Sequence, residues 1–266
     1  MVGDVAPRPS GMIFHIGRCG STLVSRMVGH DRGRLVLREA APIGGLHRAS
    51  GGSDLVPTFT IEQAFKDMLA CFDQFAASRG QRVIVKHSSW ESFSMGRVAE
   101  ILPDAPFVFV YRNPIETVES SLDGHPGWAN RLHQGRAELQ RWVPWLERVE
   151  EPFNAASIYA SVWAAGADAA LRLPAERVLL IDHADLSARP DGVVQRLRDH
   201  LDLDLAVPAA RAELNQYSKA REDGTEFDPS GAHAHPKLSP TTRRQVLSIV
   251  GDLPDQLAAR LAAQDC

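Results

Sequence analysis

The sequence predicts an α/β fold: a three-layer sandwich with a central parallel sheet and helices on both faces. Three observations carry that expectation. Short apolar runs alternate with stretches of helical periodicity along most of the chain. The run FVFVY at 107–111 is apolar from end to end, as a parallel strand covered on both faces requires. At 12–23 an apolar run passes through a turn with two glycines into an amphipathic segment, the pattern of a strand, a tight turn and a helix.

The elements follow in order. Residues 12–16 form a short apolar strand, and after a helix of about ten residues 35–37 form another. Thr60 can cap a helix over 60–78, whose Ile61, Phe65, Leu69 and Phe72 fall on one face. RVIVK at 82–86 is a strand, and 92–102 is helical until Pro103 stops it. After FVFVY, Asn113 caps a helix with Pro114 at its first position and Glu116 completing a capping-box-like start. Residues 132–145 and 152–173 read as helical, and VLLID at 178–182 is the last strand. A helix over 190–201 places Val193, Val194, Leu197 and Leu201 on one face. A polar stretch with Gly and Pro, 218–239, precedes a terminal helix over 240–262 that is interrupted near 251–254. We expect one domain over 1–266 with a helical insertion at about 123–173. No internal repeat is present.

Composition narrows the function classes. The chain has 266 residues and a net charge of −4, whereas a general nucleic-acid binder is usually basic. A local basic pocket for a small anion remains compatible with that balance. Three scattered cysteines, Cys19, Cys71 and Cys266, do not make a disulfide framework and fit a reducing compartment. No stretch approaches the roughly 18 apolar residues that span a bilayer, and the first residues lack the apolar core of a secretion signal. The expectation is a cytoplasmic protein with no membrane insertion and no nucleic-acid partner.

Two segments carry the chemistry. In the first, Gly17, Arg18, Cys19, Gly20, Ser21 and Thr22 link a strand to a helix. Glycines let the backbone approach a ligand, N–H groups converge, and the helix N-terminus adds partial positive charge, so this turn suits an anion. A nucleotide-hydrolysing loop would carry Lys after its last glycine; here Ser21 stands there and the basic residue, Arg18, comes earlier. In the second, Arg112 follows FVFVY directly, and Ser120 lies in the second turn of the next helix. A guanidinium binds phosphate oxygens through paired N–H groups, and a nearby hydroxyl adds a donor. Two anion sites on two strand exits suit a ligand with separated phosphates.

The loop GRCGSTL, then VIVKHSSW, then PDAPFVFVYRNPIETVESS resemble, in that order, the 3′-phosphoadenylyl sulfate-dependent sulfotransferases, most closely their bacterial and tyrosylprotein branches. The resemblance covers roughly 12–240 and implies a fold like that of P-loop nucleoside triphosphate hydrolases. It implies a donor, 3′-phosphoadenosine 5′-phosphosulfate (PAPS), and transfer of its sulfuryl group to a hydroxyl or amine of a small-molecule acceptor without a metal. The turn from Gly17 to Thr22 would hold the 5′-phosphosulfate, and Arg112 and Ser120 the 3′-phosphate. Arg18 and Lys86 would neutralise charge at the transferring group. Glu39 matches a segment whose glutamate is the proposed base in related members; His87, one residue off the position of the base in cytosolic members, is the alternative. Ser218 and Lys237 match a serine and a lysine that close over the nucleotide. His183 and Ala184 depart from the pattern, standing where Tyr and Glu are common.

Other readings stay open at this stage. The turn also suits an atypical P-loop kinase or nucleoside triphosphatase, and a protein that binds the nucleotide without catalysis would carry the same motifs. VLLID resembles a metal-binding strand ending in Asp182, but the missing lysine argues against that use. Cys19, at a helix N-terminus, is expected to have a lowered thiol pKa and to oxidise readily. His233 and His235 lack the further ligands of a metal site. His125, Trp128, His133, Trp142 and Trp145 either pack insertion helices or wall an acceptor site.

Overall fold

Five strands form one sheet: β1 (Gly11–His15), β2 (Arg34–Arg38), β3 (Arg82–Lys86), β4 (Phe107–Tyr111) and β5 (Val178–Asp182). All four pairings are parallel, and the spatial order is β2-β3-β1-β4-β5. The computed structural model describes residues 7–52, 58–124, 129, 136–149, 153–216 and 236–264. Around the sheet lie α1 (Ser21–Val28), α2 (Ala41–Gly52), α3 (Thr58–Ala77), α4 (Met95–Ile101), α5 (Pro114–Asp123) and α6 (Arg136–Trp142). The chain continues through α7 (Ala155–Arg172), α8 (His183–Ala188), α9 (Pro190–Leu201), α10 (Val207–Gln216), α11 (Pro240–Val250) and α12 (Leu253–Gln264).

The strand order explains where a ligand can sit. From β1 the chain crosses to β2 and β3 on one side; from β4 it crosses to β5 on the other. Neighbouring strands whose connections leave in opposite directions open a crevice at their carboxyl ends. Here those strands are β1 and β4, in register from Met12 opposite Phe107 to His15 opposite Val110. Both are buried along their whole length. Their apolar character removes all alternation, because helices cover both faces.

Helix α7 locks this crevice from behind. Ala156, Tyr159, Ala160, Trp163, Ala164 and Ala167 are buried in the same core as the central strands. A Cβ on Gly166 would lie 3.1 Å from Ile16 Cγ2 and 3.1 Å from Ser92 Cβ, so the bare glycine lets α7 press against the exit of β1. Trp163 donates its indole N–H to the Arg112 carbonyl at 2.8 Å, fixing the exit of β4. At the outer strand, Gln264 accepts from the Leu180 N–H at 3.0 Å and donates to the Val178 carbonyl at 2.6 Å. An edge that would otherwise offer unpaired backbone groups is thereby covered.

Most elements match expectation, and the differences have local causes. The helix expected over 92–102 splits into a 3-10 turn, Ser89–Ser94, and α4. Ser88 and Glu91 cap that turn and start it three residues earlier. Helix α2 was not expected: APIGGLHRASGG is too rich in glycine to signal one. Asn113 does cap α5, accepting from Ile115 N–H at 3.0 Å and Glu116 N–H at 3.4 Å. Glu116 does not close a capping box; its carboxylate accepts from Arg112 Nε at 2.8 Å instead. The expected insertion contains α6, a 3-10 turn at Pro144–Arg148, and α7. Leu139, Val143, Leu146 and Val149 form a satellite apolar cluster with Trp90, Ile158 and Val162.

Candidate active site

The turn after β1 has the backbone of a cradle. Gly17 (φ +72), Arg18 (φ +53) and Gly20 (φ +81) are all left-handed. Two glycines take that conformation without strain, whereas Arg18 is held in a region that side chains disfavour. Gly20 is fixed by space as well, since a Cβ there would lie 2.6 Å from Leu186 Cδ1. Between them Cys19 points inward, and its thiol donates to the Val110 carbonyl at 3.2 Å. The expectation of a reactive thiol is corrected here: the side chain is fully buried, and burial pushes its pKa up to about 11, against a lowering by backbone N–H groups. Helix position alone misjudged it, because desolvation disfavours the thiolate more than nearby N–H groups favour it. Ser21 is buried and Thr22 is half-buried.

The exit of β4 meets this turn directly. Arg18 donates through Nε to the Ser120 hydroxyl at 2.8 Å. Arg112 reaches back with Nη1 to the Arg18 carbonyl at 3.5 Å. The turn and the Arg112–Ser120 segment therefore form one surface. Next to Ser120, the buried carboxylate of Glu119 accepts from Lys237 Nζ at 3.1 Å and from the Leu238 N–H at 3.2 Å. Lys237 is thus held to α5 at the residue before Ser120, by a carboxylate that sequence reasoning did not single out. Ser218 lies outside the described residues, as do His125, Trp128, His133, His233, His235, Cys266 and the side chain of Trp142.

On the other side of β1, Glu39 and Lys86 come together from adjacent strands. Arg38 pairs with Lys86 in the β2–β3 register, so Glu39 is the first residue past it. Its backbone turns left-handed (φ +50), and its N–H donates to the Lys86 carbonyl at 2.8 Å. The Lys86 ammonium donates to the Glu39 carboxylate. Lys86 is 2% exposed and the Glu39 side chain 50% exposed, so a buried cation meets a carboxylate that opens outward. A buried ammonium needs such a partner, since its desolvation is costly.

His87 takes a different place. It is buried, stacked on Phe14 with ring centroids 4.0 Å apart, and its Nδ1 lies 3.2 Å from Glu91 Oε2. His15, which the sequence did not flag, stands between the two halves of the site: its Nδ1 contacts Gly17, and its Nε2 lies 3.8 Å from Glu39 Oε1. His183 begins α8, with Cδ2 3.4 Å from where a Gly20 Cβ would be. Burial, reinforced by the positive charge of Arg112, pushes its pKa down to about 4. Among the described residues no group of three or more metal-ligating side chains occurs, and no helix is long and apolar enough to cross a membrane.

Comparison with known proteins gives a consistent picture. Structures sharing the fold include sulfotransferase STF9 from Mycobacterium avium, at a TM-score of 0.57 and 13% identity over 96% of this chain and 78% of that one. A sulfotransferase from Alicyclobacillus acidocaldarius aligns at a TM-score of 0.53 and 16% identity over 96% of each chain. The sulfotransferase domain of the Synechococcus PCC 7002 olefin synthase aligns at 0.51 and 19% identity, over 100% of this chain and 98% of that one. No curated protein matches the sequence. The profile described as Sulfotransferase family matches residues 12–207, which take in the turn after β1, Glu39, Lys86 and the exit of β4, and the chain belongs to that family.

Proposed function

We propose that this protein transfers a sulfuryl group from PAPS to a hydroxyl or amine of a small-molecule acceptor. One observation carries the reading: Arg18 of the first turn donates to Ser120 of α5 at 2.8 Å, so two anion positions on separate strand exits adjoin. Ser21 stands where a nucleoside triphosphate loop needs its lysine, and the second position has its own arginine, Arg112; both favour an adenosine with separate 3′- and 5′-phosphates over a triphosphate. The left-handed backbone of Gly17, Arg18 and Gly20 supports the same reading, since such a turn lets backbone N–H groups converge on an anion.

In this reading Arg112 and Ser120 hold the 3′-phosphate, with Lys237 and Ser218 closing that side. The backbone of 17–22 and the hydroxyls of Ser21 and Thr22 hold the 5′-phosphate. The bound donor supplies an activated sulfuryl group, whose bond to the bridging phosphate oxygen breaks as the acceptor bonds to sulfur. Arg18 and Lys86 stabilise negative charge on the leaving side, in-line positioning being the larger part of such catalysis. Glu39 takes the acceptor proton. Its half-exposed carboxylate supports that role over His87, whose ring is enclosed. The chemistry needs no metal. The net charge of −4 favours a small ligand over nucleic acid, and the scattered cysteines favour the cytoplasm. We take 1–266 as one domain with the insertion at 123–173.

The direct test is incubation with sulfur-labelled PAPS and a panel of phenols, alcohols, sugars and amines. Label on an acceptor, together with adenosine 3′,5′-bisphosphate, is the expected result. Turnover of magnesium ATP or GTP with no transfer would favour a kinase or triphosphatase instead, and tight bisphosphate binding with no transfer to any acceptor a non-catalytic binder.

A further inference from the structure

His15 is the last residue of β1, 4% exposed, and it is held from four directions. Its backbone N–H donates to Ser92 Oγ at 3.2 Å, and that hydroxyl donates to the His15 carbonyl at 2.5 Å. Its ring nitrogens have different partners. Nδ1 lies 3.0 Å from the Gly17 backbone nitrogen, and Nε2 lies 3.0 Å from the His87 carbonyl oxygen.

These partners decide the tautomer. A backbone N–H only donates, so Nδ1 must accept and carries no proton. A carbonyl only accepts, so Nε2 must carry the proton. The ring is therefore neutral, and it stays so while the Gly17 bond is made. That proton goes to the His87 carbonyl, next in the chain to Lys86; Nε2 itself lies 3.8 Å from Glu39 Oε1, beyond hydrogen-bond distance, the oxygen that accepts from Lys86. One imidazole thus supports the first glycine of the anion turn with one nitrogen and holds the exit of β3, next to the Lys86–Glu39 pair, with the other.

We infer that His15 is a positioning residue, which through a fixed Nε2–H tautomer ties the anion turn to the exit of β3, beside the Lys86–Glu39 pair. The inference rests on the reading of Glu39 as the base. It assigns His15 no part in relaying protons: to take one at Nδ1 it would have to break the Gly17 bond and release the turn. The tie also predicts that the two nitrogens serve different steps, Nδ1 donor binding and Nε2 the transfer itself.

Two substitutions separate them. In His15→Asn the amide oxygen can stand near Nδ1 and keep the Gly17 bond, but nothing reaches the His87 carbonyl beside the Lys86–Glu39 pair. In His15→Gln the amide nitrogen can stand near Nε2, but the Gly17 N–H loses its acceptor. The readouts are affinity for adenosine 3′,5′-bisphosphate by calorimetry, and kcat and KM with PAPS. We expect His15→Asn to lower kcat more than affinity, and His15→Gln to lower affinity more than kcat. Each main effect should be about tenfold, the scale of one buried hydrogen bond. Equal losses on both readouts in both variants, or no loss in either, would overturn the inference.

Glu39→Gln is measured alongside. If it is inactive while the two His15 variants behave alike, the inference fails and the base survives. If it turns over normally, the base reading fails, and a kcat loss in His15→Asn then does not act through the Lys86–Glu39 pair, which overturns the inference as well. Should both His15 variants fail to fold, nitrogen NMR of the wild-type protein with labelled histidine decides. A bare Nδ1 and protonated Nε2 at neutral pH are expected, and the opposite tautomer or an imidazolium overturns the inference.

Discussion

Arg18 donates through Nε to the hydroxyl of Ser120 at 2.8 Å, across 102 positions of sequence. The contact joins the exit of β1 to α5, which follows β4, and puts the guanidinium of the glycine-containing turn against a hydroxyl of that helix. Arg112 adds a second link, to the Arg18 carbonyl. The functional assignment rests on this junction, and it can be broken one member at a time.

Arg112→Ala should weaken binding of adenosine 3′,5′-bisphosphate by about 1.5–3 kcal/mol, the scale of a hydrogen bond to a charged group. Titration calorimetry measures it. The loss should shrink for adenosine 5′-phosphosulfate, which has no 3′-phosphate. Equal losses for both ligands would place Arg112 elsewhere in the site.

Glu39→Gln should lower turnover by roughly 10²–10⁴, the usual contribution of a positioned base, while bisphosphate affinity stays near that of the wild type. Initial rates with any acceptor that works serve as the measure. Near-normal rates would remove Glu39 as the essential base.

Gly20→Ala should destabilise the fold by on the order of 1–3 kcal/mol, from a left-handed backbone and overpacking against Leu186. Its added Cβ meets Leu186 Cδ1 at 2.6 Å, and φ is +81. Urea denaturation reports the stability, and the distorted turn should also bind the bisphosphate more weakly. An unchanged midpoint with unchanged affinity would contradict the packing described.

Cys19 should resist alkylation in the folded protein near pH 8, where the exposed Cys71 reacts. The Cys19 thiol stands at about 11 against an ordinary 9.0. A folded pKa above the unfolded one means stability that is complete below pH 9 and is lost as pH climbs toward 11. Cys19→Ala should flatten that alkaline limb in a series of denaturation curves; a limb of the same slope would locate its cause in other groups.

On the acid side the sign reverses. His183 is pushed from 6.5 down to about 4, chiefly by burial, and His200 is also lowered by burial. The unfolded chain binds protons first, so stability present above pH 6.5 should fall as pH drops toward 4. His183→Asn should remove part of that fall, and an identical acid limb would argue against it.

Much of this architecture can be read from the sequence because local rules agree with the fold. β3, β4 and β5 fall where their apolar runs do, and Asn113-Pro114 starts α5 as its residue types dictate. Arg18 and Arg112 are legible because tight turns need glycine and strand exits place the next residue outward. Helix α2 is not legible, since its glycines oppose a helix that is formed only with tertiary support. His15 is not legible either: its role comes from Gly17, His87 and Glu39, and only the sheet order brings Glu39 to it. Cys19 misleads for a similar reason, because its position promises an activated thiol and its depth cancels the promise.

Gln264 closes the open flank of the sheet with one side-chain amide. Replacing Gln264 with alanine would bare the Leu180 N–H and the Val178 carbonyl together, inviting strand-to-strand association between copies through β5 while the turn after β1 stays intact.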